Sequence, residues 1–471
     1  MKICIRFFFV LFFLFSIPLH AQIEGSWYAD LSVQGMKIPL VFHFENAPEN
    51  QWTGKMDSPN QRAFGILIDE VTFRNDSLKL KVKSLGLSFS GLKNGQQIKG
   101  TFNQGAFSTE LKLNREEKEV KEESQLKRPQ EPKAPFPYQE EEVQFLNERD
   151  SIVLAGTLTY PKNKTNFPVV ILISGSGAQD RNSEILGHKP FLVTADYLTR
   201  NGIGVLRFDD RGTGASEGDF SSSTSLDFME DVRAAVQFVK NKENLKSSKV
   251  GLYGHSEGGM IAPLLADTYP KAVDFLVLLA PPAVAISELM LKQQELVSLA
   301  SGIEAEEIEL NAKINKEAYA LINAYDENET SSLKNELRKY FNGVIEVYPE
   351  ITENMGMGKP QYIKAMVSAY SNPWMVYFLK YKPETHLKNL KLPILALYGE
   401  KDVQVSAPEN AKKMKSLILK KNLKNEVITF PKMNHLFQTS ETGNIAEYAE
   451  IEETISPKVL LKVKDWIKSL P

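Results

Sequence analysis

Between Lys249 and Gly259 the chain reads K-V-G-L-Y-G-H-S-E-G-G, and few folds can accommodate that run. A short apolar strand (Val250 to Tyr253) enters a tight turn centred on Ser256, and the turn opens a helix (Met260 to Asp267). Gly254-His255-Ser256-Glu257-Gly258 fits G-x-S-x-G, which marks a nucleophile elbow when a strand precedes it and a helix follows. Strand and helix come close together across such a turn, so a side chain at Gly254 or Gly258 would clash. The turn lifts the serine hydroxyl above a sheet, and the helix N-terminus behind it favours developing negative charge. An ordinary Gly-rich loop shares this composition, but not the strand–turn–helix order with a further glycine at 259.

A chain of 471 residues exceeds one ordinary core, so two or more domains are expected. The net charge of -3 and the lack of a basic block argue against nucleic acid as a partner. Lys2 and Arg6 precede an apolar run from Phe7 to Phe15, followed by Ser16-Ile17-Pro18-Leu19-His20-Ala21. Residues 1–21 read as a secretory signal peptide cut after Ala21, too short to span a membrane. Cys4, the one cysteine, lies ahead of that run, where a lipid-anchoring cysteine would follow it. The processed chain then holds together by packing, without disulfides, in a periplasm or outside the cell.

Residues 22–113 read as short strands and turns. Leu78, Leu80 and Val82 alternate with Lys79 and Lys81, as in a half-buried strand. About eight such strands predict a small antiparallel barrel or curled sheet. Trp27, Tyr28, Trp52 and Phe64 serve either as its core or as a ligand face, and core packing is the simpler reading. Residues 114–142 are dense in charge and proline and read as a linker. From residue 143 to 471 strands alternate with helices, which implies a mostly parallel sheet flanked by helices. Pro168–Ile173 is a continuous apolar run, as in a strand buried on both faces. Between about 283 and 392 only helical patterns occur, and this insertion reads as a lid at the ligand-binding end of the sheet. Its aromatic stretch offers Trp374, Tyr377 and Phe378 as walls of an acyl pocket.

Five motifs then converge: I-S-G-S-G-A-Q-D-R-N (173–182), R-F-D-D-R-G-T-G-A-S-E-G (207–218), G-H-S-E-G-G (254–259), Y-G-E-K-D (398–402) and N-H (434–435). With them the chain resembles the α/β-hydrolase superfamily, and more narrowly exported bacterial esterases and acyl-hydrolases related to the prolyl-oligopeptidase-like branch. The resemblance implies an α/β-hydrolase fold with a helical lid, preceded here by the small all-β domain. It also implies the order Ser, acid, His. His435 is the one histidine beyond Asp402, and Asp402 follows a strand (Ile394 to Leu397) by a short turn. The triad expected is Ser256, Asp402 and His435, with Glu400 the alternative acid. The oxyanion hole needs two backbone donors: the N–H of Glu257 and one from the loop after Ile173, at Ser176 or Gly177, Ser176 being preferred.

The activity expected is cleavage of a small-molecule carboxylic ester of small to medium acyl size through an acyl-enzyme. A thioesterase or peptidase of the same fold, or an inactive binding module, is the alternative. No cofactor or metal is implied, because neither dinucleotide-binding nor metal-ligand spacing occurs. The oligomeric state is left open.

Overall fold

The computed structural model of the chain describes residues 23–33, 36–47, 51–58, 63–104, 107–115, 127–162, 166–245, 248–325, 330–354 and 358–471. The leader expected at 1–21, the linker segment 116–126 and the side chain of Phe64 lie outside the described residues.

The first unit contains strands β1 (Gly25–Val33), β2 (Met36–Ala47), β3 (Gln51–Ser58), β4 (Ala63–Ile68), β5 (Glu70–Arg74), β6 (Ser77–Val82), β7 (Leu87–Asn94), β8 (Gln97–Gln104) and β9 (Phe107–Asn114). They form one antiparallel sheet, ordered β4-β3-β2-β1-β9-β8-β7-β6-β5. Its two ends curl toward each other, β3 near β5 and β4 near β6. Alternation decides what lies inside: in β6, Leu78, Leu80 and Val82 are buried while Lys79 and Lys81 face out. Trp27, Phe42, Phe44, Phe89 and Phe102 fill the interior, with Trp52 packed against them. The Trp27 indole donates to Ile23 O at 2.8 Å, and Arg115 stacks on its ring at 4.5 Å. Trp27 is therefore core and not a ligand face.

The second unit begins earlier than the charge pattern suggests. Strand β10 (Tyr138–Asn147) pairs antiparallel with β11 (Ile152–Pro161), so residues 138–142 are strand where linker was expected. The run Glu140-Glu141-Glu142 masks it, and an edge strand tolerates such charge. Glu141 pairs with Lys242 at 2.8 Å, and Glu142 with Arg181. The preceding Pro-rich stretch is also docked: Arg128 donates to the carbonyls of Leu186, Gly187, Ala449 and Ile451. Beyond β11 come β12 (Val169–Ile173), β13 (Gly204–Phe208), β14 (Val250–His255), β15 (Phe275–Leu279), β16 (Ile394–Gly399) and β17 (Glu426–Phe430). The sheet order is β10-β11-β13-β12-β14-β15-β16-β17, parallel from β13 onward. Every residue of β12, β13 and β15 is buried, and β12 and β15 are accordingly unbroken apolar runs, while β13 carries one buried charge, Arg207.

Helices α1 (Pro190–Arg200), α2 (Ser225–Asn241) and α3 (Gly258–Thr268) connect the central strands. Between β15 and β16 lie α4 (Ile286–Ala300), α5 (Ala305–Ala324), α6 (Thr330–Val347), α7 (Glu350–Asn354), α8 (Lys359–Tyr370), α9 (Pro373–Lys380) and α10 (Glu384–Leu387); α11 (Ala407–Ile418) and α12 (Pro457–Lys468) follow. The inserted helices carry a core of their own, with Ile314, Ile322, Leu337, Phe341, Tyr362 and Leu379 among its members, distinct from that of the sheet. No described helix is long and apolar enough to cross a membrane.

Beside the first turn of α2, Arg211 is buried and meets Asp231 through two bonds of 2.7 and 2.8 Å, with Asp150 at 2.8 Å. Removing one partner of a buried pair strands the other charge. Arg211→Met should therefore lower stability by about 3–5 kcal/mol, read as a lower urea midpoint. Replacing Asp231 by Leu in the same chain should recover part of that loss.

Candidate active site

The turn between β14 and α3 is as tight as its glycines imply. A Cβ on Gly254 would lie 2.1 Å from Gly258 O, and one on Gly258 would lie 2.3 Å from Ile173 O. Ser256, between them, has φ +54°, a conformation that non-glycine residues rarely adopt. Its N–H donates to Leu279 O at the end of β15, and its carbonyl accepts from Gly259 N at 2.8 Å. The hydroxyl is left to face a cavity.

Across that cavity stands His435, in the loop after β17. Its Nδ1 lies 2.8 Å from Asp402 Oδ2, and both side chains are almost wholly buried. A carboxylate oxygen only accepts, so Nδ1 carries the proton and Nε2 is left as the basic nitrogen. The other oxygen of Asp402 accepts from the N–H groups of Gln404 and Val405, both at 2.8 Å, which fixes the carboxylate. Glu400, the alternative acid, is exposed and accepts instead from Lys432 N. Ser256 Oγ makes no hydrogen bond to His435 among the described residues. Acid and base are joined, and the hydroxyl enters the same cavity, a link that often tightens only around substrate.

Two backbone donors face this space. The N–H groups of Glu257 and Ser176 find no protein acceptor among the described residues, and both residues line the cavity, whereas Gly177 does not. The Ser176 loop is held from beneath by acids. Asp210 accepts from Ser174 Oγ at 2.7 Å and from Gln179 N at 2.9 Å. Asp209 accepts from Arg181 N and from its guanidinium at 2.7 Å. Arg181 is thus a structural partner of Asp209.

The cavity encloses about 220 Å³ and is walled by Phe191, Tyr253, Met290, Trp374, Phe378 and Phe437, among others. Trp374 and Phe378 stack at 4.8 Å. Tyr377 does not line it and packs beside Tyr381. Trp374, Tyr377 and Phe378, at i, i+3 and i+4, share one helix face, and Tyr377 takes the flank of that face beside Tyr381.

Several contributors were not evident from the motifs. His255, the residue before Ser256, lines the cavity and donates from Nε2 to His435 O at 2.9 Å. Burial and the neighbouring His435 push its pKa down to about 4, so it stays neutral. Asn434 accepts from Leu436 N and Gln438 N, both at 3.0 Å, and so shapes the His435 loop. The carboxyl of Glu257 is 2% exposed, and burial holds its pKa above the usual range. The dipeptide Asn434-His435 and the acid after Ser256 were visible signals, but of these only the histidine and the Glu257 backbone had an assigned task.

The serine aminopeptidase S33 family matches residues 190–331, and the dienelactone hydrolase family matches residues 355–470. The first interval contains Ser256, and the second contains Asp402 and His435. Esterase EstD of Thermotoga maritima is 26% identical over 319 residues, covering 67% of this chain and 65% of that relative, short of two thirds of its length. An uncharacterised 31.7 kDa protein of Escherichia coli is 22% identical over 267 residues, covering 55% of this chain and 80% of its own. Among solved structures, a Pyrococcus furiosus esterase aligns with TM-score 0.41 at 16% identity, over 70% of this chain and 91% of that one. Est1E of Butyrivibrio proteoclasticus with ferulic acid bound aligns with TM-score 0.40 at 17% identity, over 69% and 96%.

Burial pushes the Asp210 carboxyl up to about 7 from its ordinary 3.8. A carboxyl raised in this way takes up a proton on folding, so its contribution is complete below about 4 and is lost as pH rises through 7. Asn at this position keeps an acceptor for Ser174 and Gln179 but does not titrate. Asp210→Asn should therefore gain stability relative to wild type between pH 5 and pH 8. Each tenfold change in acidity is worth about 1.4 kcal/mol, and over the two units from pH 5 to 7 the gain should approach about twice that. Denaturation midpoints at both pH values check it, and parallel pH dependence would contradict it.

Proposed function

Because the chain belongs to the α/β-hydrolase superfamily, we propose that it is a serine hydrolase cleaving carboxylic esters of small to medium acyl groups. Ser256 is the nucleophile, His435 the base and Asp402 the acid that orients it. The observation that carries this reading is the buried Asp402–His435 pair, at 2.8 Å, opening on the cavity that Ser256 enters.

In the proposed reaction His435 Nε2 takes the Ser256 proton as Oγ bonds to the acyl carbon. The carbonyl oxygen becomes an oxyanion, held by the N–H groups of Glu257 and Ser176. Removing one such donor typically costs on the order of 100-fold or more. The C–O bond to the alcohol then breaks, and His435 returns the proton to the departing oxygen. Water, activated by the same imidazole, releases the acid from Ser256. Asp402 keeps Nδ1 protonated throughout and stabilises the imidazolium.

The helices between β15 and β16 act as the lid in this reading, since α4 and α9 supply Met290, Trp374 and Phe378 to the cavity. A cavity of about 220 Å³ falls below the roughly 300–1,000 Å³ usual for drug-sized ligands. That suits a short acyl chain or a single ring, not a long fatty acyl group. The S33 match raises an aminopeptidase as the second reading. Such an enzyme must hold an α-ammonium, and Glu257 is the one acid among the described residues lining the cavity. One of its oxygens already accepts from Ser225 Oγ and Trp374 Nε1, which favours the ester. The leader expected at 1–21 supports action in the periplasm or outside the cell.

A panel of chromogenic esters from acetyl to long acyl groups tests the proposal. Wild type should favour the short and medium esters. Ser256→Ala should lower turnover by about 10⁴-fold or more, and Asp402→Asn by a comparable factor. Turnover that survives in Ser256→Ala, or none in wild type, would overturn it.

A further inference from the structure

Glu257 stands at the junction of three parts of the second unit. Its backbone follows Ser256 in the turn. Its side-chain Oε1 accepts from Ser225 Oγ at 2.6 Å, at the first residue of α2. The same oxygen accepts from the indole Nε1 of Trp374 at 2.9 Å, on α9 of the inserted helices. The Ser176 side chain also lies close enough to favour the charged form of the carboxyl. A buried carboxyl costs stability unless its oxygens are engaged, and here part of the engagement comes from the insertion.

Helix α9 lies at the seam between two cores. Phe378 belongs to the core of the sheet, with Trp374 and Tyr377 packed against it. Leu379 belongs to the core of the insertion, with Met375 and Val376 packed against that. Apolar contacts fix such a helix less sharply than a polar bond does, because packed side chains can adjust to small shifts. A hydrogen bond of fixed length does have one. The bond from Trp374 ends on the residue next to the nucleophile.

We propose that Glu257 is a positioning residue whose carboxyl fixes the Trp374 wall against the nucleophile turn and so sets which acyl groups fit. This rests on the ester-hydrolase reading of the site. The bond stops the indole from swinging outward, and the Trp374–Phe378 stack behind it closes the cavity at its present depth. Without it the same stack is free to move with the insertion, and longer acyl groups gain room.

The test uses the full processed chain and measures kcat and KM for acetyl, butyryl, hexanoyl and octanoyl p-nitrophenyl esters. Trp374→Phe keeps an aromatic ring on Phe378 and removes the N–H. Glu257→Leu removes the acceptor, and Glu257→Gln restores one. The readout is the ratio of kcat/KM for octanoyl to that for acetyl. The ratio should rise about tenfold in Trp374→Phe and in Glu257→Leu, and no further when the two are combined. Glu257→Gln should move it back toward wild type. A ratio that changes less than threefold or falls in Trp374→Phe overturns the proposal, as do effects that multiply in the double variant. If Glu257→Leu does not fold, Trp374→Phe alone decides. Absence of Ser256-dependent turnover in wild type would instead remove the ester-hydrolase reading, a distinct outcome.

Discussion

Strand β14 and helix α3 meet at a distance that excludes any Cβ, and the placement of Ser256 follows from that contact. The backbone of Gly258 rests on the carbonyls of Ile173 and Ser174, while Gly254 faces Gly258. A chain passing between two such contacts has one way to turn, which forces Ser256 into its positive φ. The strain is sustained by neighbours: Leu279 O holds Ser256 N, and the parallel pairing of β14 with β12 and β15 holds the strand. The sheet is thus the frame that keeps an unfavourable turn in place.

The same contact brings the Ser176 loop beneath the turn. Gly175 lies so close that its Cβ would be 3.3 Å from that of Ser256. Loops this near a nucleophile need anchoring, and carboxylates provide it. Asp209 holds Arg181, Asp210 holds Ser174 and Gln179, and Asp402 is held by two N–H groups. Each acid is buried among donors that belong to loops, so polar bonds order the segments that carry the chemistry where apolar packing cannot.

Much of this was legible because its physics is local. Parallel strands buried on both faces require unbroken apolar runs, and Val169–Ile173 and Phe275–Leu279 are such runs. The glycines around Ser256 are a steric requirement written into three positions, 254, 258 and 259. What stayed hidden depends on partners distant in the chain. Strand Tyr138–Asn147 carries a glutamate run that looks like linker until Lys242 and Arg181 are placed opposite it. Tyr377 shares a helix face with Trp374 and Phe378, and its tertiary packing beside Tyr381, which composition does not show, keeps it out of the cavity wall. The Glu257 carboxyl and the His255 ring have no local signature, because their partners Trp374 and His435 lie far along the chain.

The two cores of the second unit have different consequences for function. The sheet's core includes the strands that place Ser256 and Asp402, so changes there disturb the chemistry itself. The inserted helices bury their own cluster and can be altered with less effect on the sheet. The cavity wall can therefore vary independently of the turn that carries Ser256, except where the two cores share a helix. In α9 they do: Phe378 packs into one cluster and Leu379 into the other, and Trp374 reaches the residue beside the nucleophile. A substitution there acts on acyl fit and on the turn together. That separates α9 from α5 and α6, whose buried side chains meet only the insertion's own core.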